Sequence, residues 1–150
     1  MRTILIGLGN PLLTDDAIGI RAAESLAGEG LDVDVEEASV GGMELVEMML
    51  GYQRAIIVDS ILTGNNEIGT VNRITPDDFK ESRNVSNLHS VDFMQALKLW
   101  STAGDVIPKD IVIYVVEVDD VYTFSESMTP AVEEALSEVV RRVRKELYSP

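Results

Sequence analysis

The opening of the chain combines a short apolar run, two glycines and two adjacent carboxylates, and this combination limits the possible folds. Residues 3–8 are short and apolar, which is typical of a strand that is covered on both faces. Gly7 and Gly9 allow the backbone to turn sharply or to approach a neighbour closely. Thr14 or Asp15 can then cap a helix, since acidic groups suit a first helical turn. The segment predicts a strand, a loop and a helix, with the loop at the sheet edge where α/β folds bind ligands.

Three interpretations of this loop compete. The first is a tight strand-to-helix turn with acidic caps. The second is a dinucleotide-binding fingerprint, which fails because Leu12 occupies the third glycine position and two carboxylates would face the pyrophosphate. The third is a loop that presents Asp15 or Asp16 to a metal ion or to a proton transfer. The first and third interpretations stay open at this point.

The rest of the chain alternates between strand and helix patterns. Residues 31–36 alternate with period two, which predicts a strand with one solvent-exposed face near a sheet edge. Residues 54–59 and 110–117 are mostly apolar and predict buried strands. Residues 68–74 follow the preceding strand too closely for a helical crossover, so we expect an antiparallel or hairpin strand there. Helices are expected over 16–29 and 43–50, after Pro76, from His89 through Trp100, and from Pro130 with Thr129 as its cap.

This alternation predicts an α/β fold, a three-layer α/β/α sandwich with a mostly parallel, twisted sheet of about five strands. The 150 residues suffice for one domain, so we expect a single domain over 1–150. No apolar run approaches the roughly 20 residues of a membrane span, and no signal-peptide pattern is present. We therefore expect a cytoplasmic protein that does not enter a membrane. The modest length and short apolar helices are compatible with a monomer.

Charge and cysteine content exclude several classes of function. The formal charge of −14 argues against a nucleic-acid partner, because phosphate binding needs a basic surface. It permits a cationic partner or a metal ion, although a solvated acidic surface is the commoner meaning. The chain has no cysteine, which excludes disulfides and thiolate ligands. Any metal ion must therefore use oxygen and imidazole ligands.

Asp16, Asp59 and His89 each fall after a strand or at the start of a helix. In a doubly wound sheet such positions converge on one edge. Two carboxylates and one imidazole can bind a divalent metal ion with coordination positions left open. The same three groups can instead act as a general acid–base set, and their spacing does not choose between the two. His89 is the only histidine, so any imidazole chemistry must use it.

Several motifs resemble those of the hydrogenase maturation endopeptidases, which trim the C-terminal extension from the large subunit of nickel–iron hydrogenases. The resemblance covers nearly the whole chain. It rests on Gly7-x-Gly9-Asn10-x-Leu12-x-x-Asp15-Asp16-x-x-Gly19, Gly42-Met43-Glu44-Leu45, Asp59, and Ser86-Asn87-Leu88-His89-Ser90.

The resemblance implies a peptidase whose partner is the precursor of a hydrogenase large subunit. It implies that Asp16, Asp59 and His89 contact a metal ion and carry the catalysis. The metal is nickel supplied by the substrate, or another divalent metal that bridges the two proteins. A metal ion near the scissile amide can polarise its carbonyl or activate water, and a carboxylate can also activate water. We find no cysteine nucleophile and no Gly-x-Ser-x-Gly elbow.

The chain departs from the family pattern in two places. The segment Glu37-Ala38-Ser39-Val40 stands where the family often has Asp-Gly-Gly-Thr, and Glu117 is followed by Val118 rather than proline. Residues 117–128 are similar to the branch that serves deazaflavin-reducing hydrogenases. The first departure keeps an alternative open, a non-catalytic nickel-binding or hydrogenase-docking module on the same fold.

Two other interpretations account for part of the sequence. The segment Gly7-Leu8-Gly9-Asn10-Pro11 also resembles the opening of bacterial peptidyl-tRNA hydrolases. That family continues into a Thr-Arg-His-Asn segment, whereas this chain continues into two aspartates and carries an acidic charge. The other interpretation is a purely structural domain, in which the capped turns have no ligand.

Overall fold

The computed structural model of the protein describes residues 2–81 and 88–149, without the side chains of residues 79–81 and 88–92. A short 3-10 turn, Thr14–Ala17, stands between the first strand and the first helix. The strands within the described ranges are β1 Thr3–Leu8, β2 Asp34–Ala38, β3 Arg54–Ile61, β4 Val71–Ile74 and β5 Asp110–Glu117. The helices there are α1 Ile18–Ala27, α2 Gly42–Met49, α3 Pro76–Glu81, α4 Leu88–Thr102 and α5 Pro130–Leu147.

The strands form one sheet in the order β2-β1-β3-β5-β4. All neighbours are parallel except β4, which runs antiparallel to β5 at the edge. The predicted three-layer α/β/α sandwich with a mostly parallel, five-stranded sheet is therefore confirmed. The strand predicted over 68–74 begins at Val71, and its antiparallel partner is β5 rather than the strand that precedes it.

The edge strand β2 lies further along the chain than its sequence pattern indicated. The alternation predicted 31–36, whereas the strand covers Asp34–Ala38. Its extent follows from its pairing with β1, which runs from Ile4 opposite Asp34 to Leu8 opposite Ala38. The period-two pattern is correct about the exposed face, but register with a neighbouring strand decides where the strand begins.

Two hydrophobic clusters cover the two faces of the sheet. Side chains from α1 and α5 pack on one face, and side chains from α2 and α4 pack on the other. Because successive strand residues point to opposite faces, Val58 belongs to the first cluster, and Ile57 and Ile61 belong to the second. The same alternation places Asp59 on the face covered by α2 and α4, and Ser60 on the face covered by α1.

Helix α1 lies unusually close to the sheet. A Cβ atom at Gly19 would lie 2.3 Å from the carbonyl oxygen of Val58 and 2.4 Å from that of Leu8. A Cβ atom at Gly7 would lie 2.6 Å from the Cβ of Ala23. The absence of side chains at these glycines therefore sets the distance between α1 and the two strands beneath it. This contact also fixes the turn that carries Asp16, because that turn leads directly into α1.

No helix in the part of the chain that the structure describes is both long and apolar enough to cross a bilayer. The cytoplasmic location stays a prediction from the sequence.

Candidate active site

Asp16 and Asp59 lie together at the edge of the sheet where the parallel strands end. Asp16 belongs to the 3-10 turn that follows β1, and Asp59 lies two residues before the end of the neighbouring strand β3. Ser60 connects the two carboxylates. Its hydroxyl donates to Asp16 Oδ1 at 2.7 Å, and its backbone N–H donates to Asp59 Oδ1 at 2.8 Å. The structure therefore brings together two of the three residues that the sequence singled out.

The loop that follows β1 fixes the position of the Asp16 carboxylate. The backbone N–H of Asn10 donates to Asp16 Oδ2 at 3.0 Å, so both carboxylate oxygens accept a hydrogen bond from the protein. Gly9 makes this arrangement possible. Its φ is +149°, and a Cβ atom there would lie 2.0 Å from the Asp16 carbonyl oxygen. A side chain at Gly9 would therefore push the loop away from Asp16.

Asp59 is buried, with 7% of its surface exposed. Burial raises the pKa of Asp59 well above its ordinary value, and the nearby charge of Asp16 raises that pKa further. The hydrogen bond from Ser60 N–H opposes this shift. The result is a pair of carboxyl groups in which Asp59 retains its proton to a higher pH than a solvent-exposed aspartate. Such a pair can transfer a proton, or it can bind a cation that replaces the proton.

His89 is the second residue of α4, and its side chain lies outside the described residues. Helix α4 covers the same face of the sheet onto which Asp59 projects. Among the described residues no group of three histidine, aspartate or glutamate side chains is placed to hold a metal ion. The two carboxylates do fit one, because they provide adjacent hard oxygen ligands. The role of His89 as a third ligand stays a prediction.

Asp15 does not cap a helix, so this part of the sequence interpretation was wrong. Helix α1 begins at Ile18 without a side-chain cap. Asp15 is fully buried, and its Oδ2 accepts backbone N–H groups from Asp119 and Asp120, both at 3.0 Å. Its Oδ1 accepts the backbone N–H of Thr129 at 2.7 Å, and the Thr129 hydroxyl also donates to this carboxylate. Asp15 therefore holds the loop between β5 and α5.

Thr14 and Thr129 were predicted as helix caps, and both use their hydroxyl groups for other contacts. Thr129 precedes α5 and Pro130 begins it, as predicted, but the Thr129 hydroxyl bonds to Asp15 instead of capping its own helix. The Thr14 hydroxyl donates to the carbonyl oxygen of Thr123. Both threonines therefore serve contacts between distant segments, which a local cap pattern does not reveal.

The loop between β5 and α5 also pairs with the residues just before Asp16. Leu13 and Ser125 form a parallel bridge. Ser125 N–H donates to the Leu12 carbonyl oxygen at 3.0 Å, and Thr14 N–H donates to the Ser125 carbonyl oxygen at 3.1 Å. The nearby side chain of Phe124 is 82% exposed. This short ladder lies directly before the turn that carries Asp16.

The two departures from the family pattern involve Glu117 and Glu37. The surroundings of each glutamate shift its pKa. Glu117 is buried at the end of β5. Burial alone would raise its pKa, but hydrogen bonds from the loop after β3, chiefly from Thr63, lower the pKa overall. Burial raises the pKa of Glu37, and a hydrogen bond with Glu24 of α1 adds to that shift. Glu37 lies opposite Gly7 in the β1–β2 register and therefore on the face that α1 covers. Glu117 alternates with Val116 of the first cluster and therefore lies on the other face, with Val115 of the second cluster.

Ser60 is the site residue that sequence reasoning missed. A serine inside an apolar strand gives no periodic or motif signal, and its partner Asp16 lies 44 residues away. Its position directly after Asp59 was the sole hint available.

Comparison with known proteins places these features in a family. A family model described as "Hydrogenase maturation protease" matches residues 20–146. The hydrogenase 2 maturation protease of Escherichia coli K12 is 38% identical over 74 residues, which is 47% of this chain and 45% of that protein. The hydrogenase expression/formation protein HupD of Thiocapsa roseopersicina is 25% identical over 143 residues, 91% of this chain and 63% of that protein. The chain thus spans less than two thirds of the length of both curated relatives.

The folds of several solved structures match this chain over nearly its full length. The hydrogenase maturating endopeptidase HybD from E. coli is 28% identical, with a TM-score of 0.75 over 97% of this chain and 94% of the other. An E. coli endopeptidase solved in solution is 27% identical, with a TM-score of 0.80 over 98% and 92%. The [NiFe] hydrogenase maturation protease HybD from Thermococcus kodakarensis, 21% identical with a TM-score of 0.79 over 98% and 99%, supports the fold alone. From its sequence match and its fold, the chain belongs to the hydrogenase maturation protease family.

Proposed function

We propose that this chain is an endopeptidase that removes the C-terminal extension from the precursor of a [NiFe] hydrogenase large subunit. The observation that carries the proposal is the pair of Asp16 and Asp59 at the carboxyl edge of the sheet, joined through Ser60. Membership in the hydrogenase maturation protease family and the protease activities of the relatives support it. The bond that is cleaved belongs to the substrate, so the substrate must be able to reach the carboxyl pair from outside the sheet edge.

The nickel in this proposal belongs to the substrate. Asp16, Asp59 and His89 would contact nickel that is already inserted in the precursor, or another divalent metal ion between the two proteins. Carboxylate oxygen and neutral imidazole are suitable ligands for nickel. The raised pKa of Asp59 adds a specific expectation, because the binding of a cation would release the proton that this carboxyl group holds. Recognition of this kind would restrict cleavage to precursors with a finished metal centre.

The carboxyl pair also suits the hydrolysis itself. Water adds to the carbonyl carbon of the scissile amide, the C–N bond breaks, and the leaving nitrogen takes up a proton. A carboxylate can accept the proton of the attacking water, and a carboxyl group with a raised pKa can donate one. We assign these two roles to the pair of Asp16 and Asp59. A metal ion at the same place would additionally polarise the carbonyl group.

A cleavage assay tests the proposal. Purified protein is incubated with a nickel-loaded precursor and with a nickel-free precursor, and the products are weighed by mass spectrometry. The variants Asp16→Asn, Asp59→Asn and His89→Ala are compared with Asp32→Asn, which changes an exposed carboxylate outside the site. We expect loss of a C-terminal peptide from the nickel-loaded precursor with the wild-type protein and Asp32→Asn, and no loss with the three site variants.

Each other outcome contradicts a defined part of the proposal. Stable binding of the precursor without cleavage by the wild-type protein would favour the docking module. Full processing by His89→Ala would remove the imidazole contact from the proposal. Equal processing of nickel-free and nickel-loaded precursors would show that the metal is not recognised.

We further propose that the enzyme acts as a cytoplasmic monomer and that its partner is a hydrogenase of the deazaflavin-reducing type. The similarity of residues 117–128 to the corresponding branch supports the choice of partner. Light scattering at micromolar concentration tests the first point, where a mass of about twice 16.4 kDa would contradict it. Processing assays with precursors from different hydrogenase types test the second.

A further inference from the structure

Strand β2 forms one edge of the sheet, and its outer side is open. Its inner side pairs with β1, and just beyond β1 the N–H of Gly9 donates to the Ala38 carbonyl oxygen at 3.0 Å. Because consecutive residues of a strand direct their backbone groups to opposite sides, those of Val35 and Glu37 point outward. Within residues 2–81 and 88–149, these two N–H and two C=O groups make no hydrogen bond. The outer side of β2 can therefore pair with one further extended chain.

The opposite edge of the sheet is formed by β4 and differs from β2. Strand β4 has only four residues, and Arg142 of α5 donates to the Val71 carbonyl oxygen at 2.6 Å. A side chain of the protein itself therefore occupies part of that edge. In the part of the chain that the structure describes, no side chain covers the outward backbone groups of β2 in this way. Strand β2 is thus the better edge for a partner.

A groove of about 480 Å³ follows the open edge of β2. Leu26 and Leu31 line the groove from the side of the first hydrophobic cluster, and Tyr52 lines it from the side of the second. Val35 adds an apolar side chain from the strand itself. Since the lining comes from both faces of the sheet, the groove contains the strand edge. An extended chain that pairs with β2 would therefore also bury apolar surface.

Exposed carboxylates flank this edge on both faces of the sheet. Glu36 lies on the face covered by α2 and α4, and Glu37 lies on the face that α1 covers. The nearby Arg2 pairs with Asp34 at 3.6 Å, and among the described residues neither Glu36 nor Glu37 forms an ion pair with a basic side chain. Glu37 instead forms a hydrogen bond with the carboxyl group of Glu24. An ammonium or guanidinium group from a partner could bind both of these carboxyl groups.

The charge of the edge determines which kind of chain it can bind. If a second copy paired its β2 with this one, Glu36 and Glu37 would lie close to the same residues of the other copy. Like charges on paired strands are destabilising, so the edge disfavours a second copy. An extended segment with lysine or arginine side chains would gain favourable pairs on both faces. The net charge of −14 favours the approach of the same kind of partner.

We propose that the outer edge of β2 pairs with an extended, basic segment of the hydrogenase precursor. Backbone groups of the segment would bond to the N–H and C=O groups of Val35 and Glu37. Its basic side chains would bind Glu36 on one face and the pair of Glu24 and Glu37 on the other. Strand β2 is the direct neighbour of β1, and the turn after β1 carries Asp16, so docking here keeps the precursor close to the carboxyl pair. The inference rests on the proposed function, since it takes the precursor as the partner.

The affinity for the precursor tests the charge part of this docking edge. The double variant Glu36→Gln/Glu37→Gln is compared with Glu133→Gln/Glu134→Gln, which removes two exposed carboxylates from the beginning of α5. Both variants lose two negative charges and keep the size of the side chains, so a general effect of net charge would be equal in the two. We expect the Kd for nickel-free precursor, measured by calorimetry, to rise about fivefold in the β2 variant and less than about twofold in the α5 variant. An unchanged Kd, or an equal rise in both variants, would overturn the inference.

Hydrogen exchange tests the backbone part independently of cleavage. We expect the amides of Val35 and Glu37 in the wild-type protein to exchange more slowly when nickel-free precursor is bound, while the amides of β4 keep their rates. Failure of the precursor to bind, or binding without protection of these two amides, would overturn the docking edge. Protection of the two amides without cleavage of nickel-loaded precursor would support the edge while the proposed function fails. Cleavage without protection would do the reverse.

Discussion

Two aspartates that adjoin in sequence have separate tasks in this protein. Asp15 is fully buried and holds the β5–α5 loop, whereas Asp16 accepts the Ser60 hydroxyl at the sheet edge, where its charge acts on Asp59. The sequence predicted Asp16 and Asp59 as site residues from their places after strands, and the structure brings them together. The sequence did not predict the structural role of Asp15, because Asp15 and Thr129 are 114 residues apart and no local pattern connects them.

Asp59 makes the folded protein sensitive to pH. Its ordinary pKa is 3.8, and burial and Asp16 raise the pKa well above that in the folded state. The folded state then binds the proton more tightly than the unfolded state, so stability falls as pH rises from 3.8 through the folded pKa. In metal-free protein we expect Asp59→Asn to raise the free energy of unfolding at pH 7, because the variant no longer has to bury a charge next to Asp16.

Urea denaturation of chelator-treated protein at pH 4 and pH 7 measures this effect of Asp59→Asn. The gain should shrink toward pH 4, where the wild-type carboxyl group is protonated in the folded state. A variant less stable than the wild-type protein at pH 7 would contradict the expectation. The same substitution should abolish processing, so stability and activity would change in opposite directions.

Ser60 acts through its neighbours and is a positioning residue. Its hydroxyl fixes Asp16 Oδ1 at 2.7 Å. We expect Ser60→Ala to lower kcat for precursor processing about tenfold, while the free energy of unfolding changes by less than about 1.5 kcal/mol. Ser60→Thr keeps a hydroxyl and should recover most of the rate. Ser137→Ala, at an exposed serine of α5, is the control and should leave kcat unchanged.

At the scale of elements, the contact of α1 with β1 and β3 determines where the Asp16 turn can lie. The glycines of the opening motif were predicted to permit close approach, and this was correct at Gly7 and Gly9. The tightest contacts of α1 itself are at Gly19, which the sequence offered as part of a family motif without a physical reason. A glycine in a helix gives no local signal of what packs against it, so its task depends on the tertiary fold.

Gly19→Ala tests this contact. The added Cβ would lie 2.3 Å from the Val58 carbonyl oxygen, which is backbone and cannot rotate away. We expect a loss of about 2 kcal/mol in the free energy of unfolding. Gly28→Ala is the matched control at the end of the same helix, where the nearest atom would be 3.7 Å away. It should be neutral or slightly stabilising. Thermal denaturation measures both, and equal effects would contradict the close contact.

At the scale of the whole molecule, the acidic charge opposes folding. The formal charge is −14, from 26 acidic and 12 basic residues. Basic groups concentrate near the C-terminal end of α5, where Arg54 and Arg73 bind Glu146.

The architecture was predictable because strand and helix patterns alternate along the chain. The order of the strands was not, because order depends on contacts between segments far apart in sequence.

Salt should therefore stabilise this protein. We expect the Tm at pH 7 to rise by several degrees between about 20 and 300 mM NaCl, because screening weakens the repulsion among the excess carboxylates. The exposed ion pairs oppose this trend weakly, since each contributes little. Near the isoelectric point of about 4.3 the salt effect should largely vanish. A Tm that falls with salt at pH 7 would mean that ion pairs outweigh repulsion.

The way Asp15 holds the β5–α5 loop has a consequence for how far the sequence of this loop can drift. The hydrogen bonds that Asp15 accepts come from backbone N–H groups of Asp119, Asp120 and Thr129 and from the Thr129 hydroxyl. None of these bonds uses the side chain at 122 or 124. Sequence changes at those two exposed positions can therefore accumulate without loss of the frame, so a library randomised there should keep the native fold in most of its members.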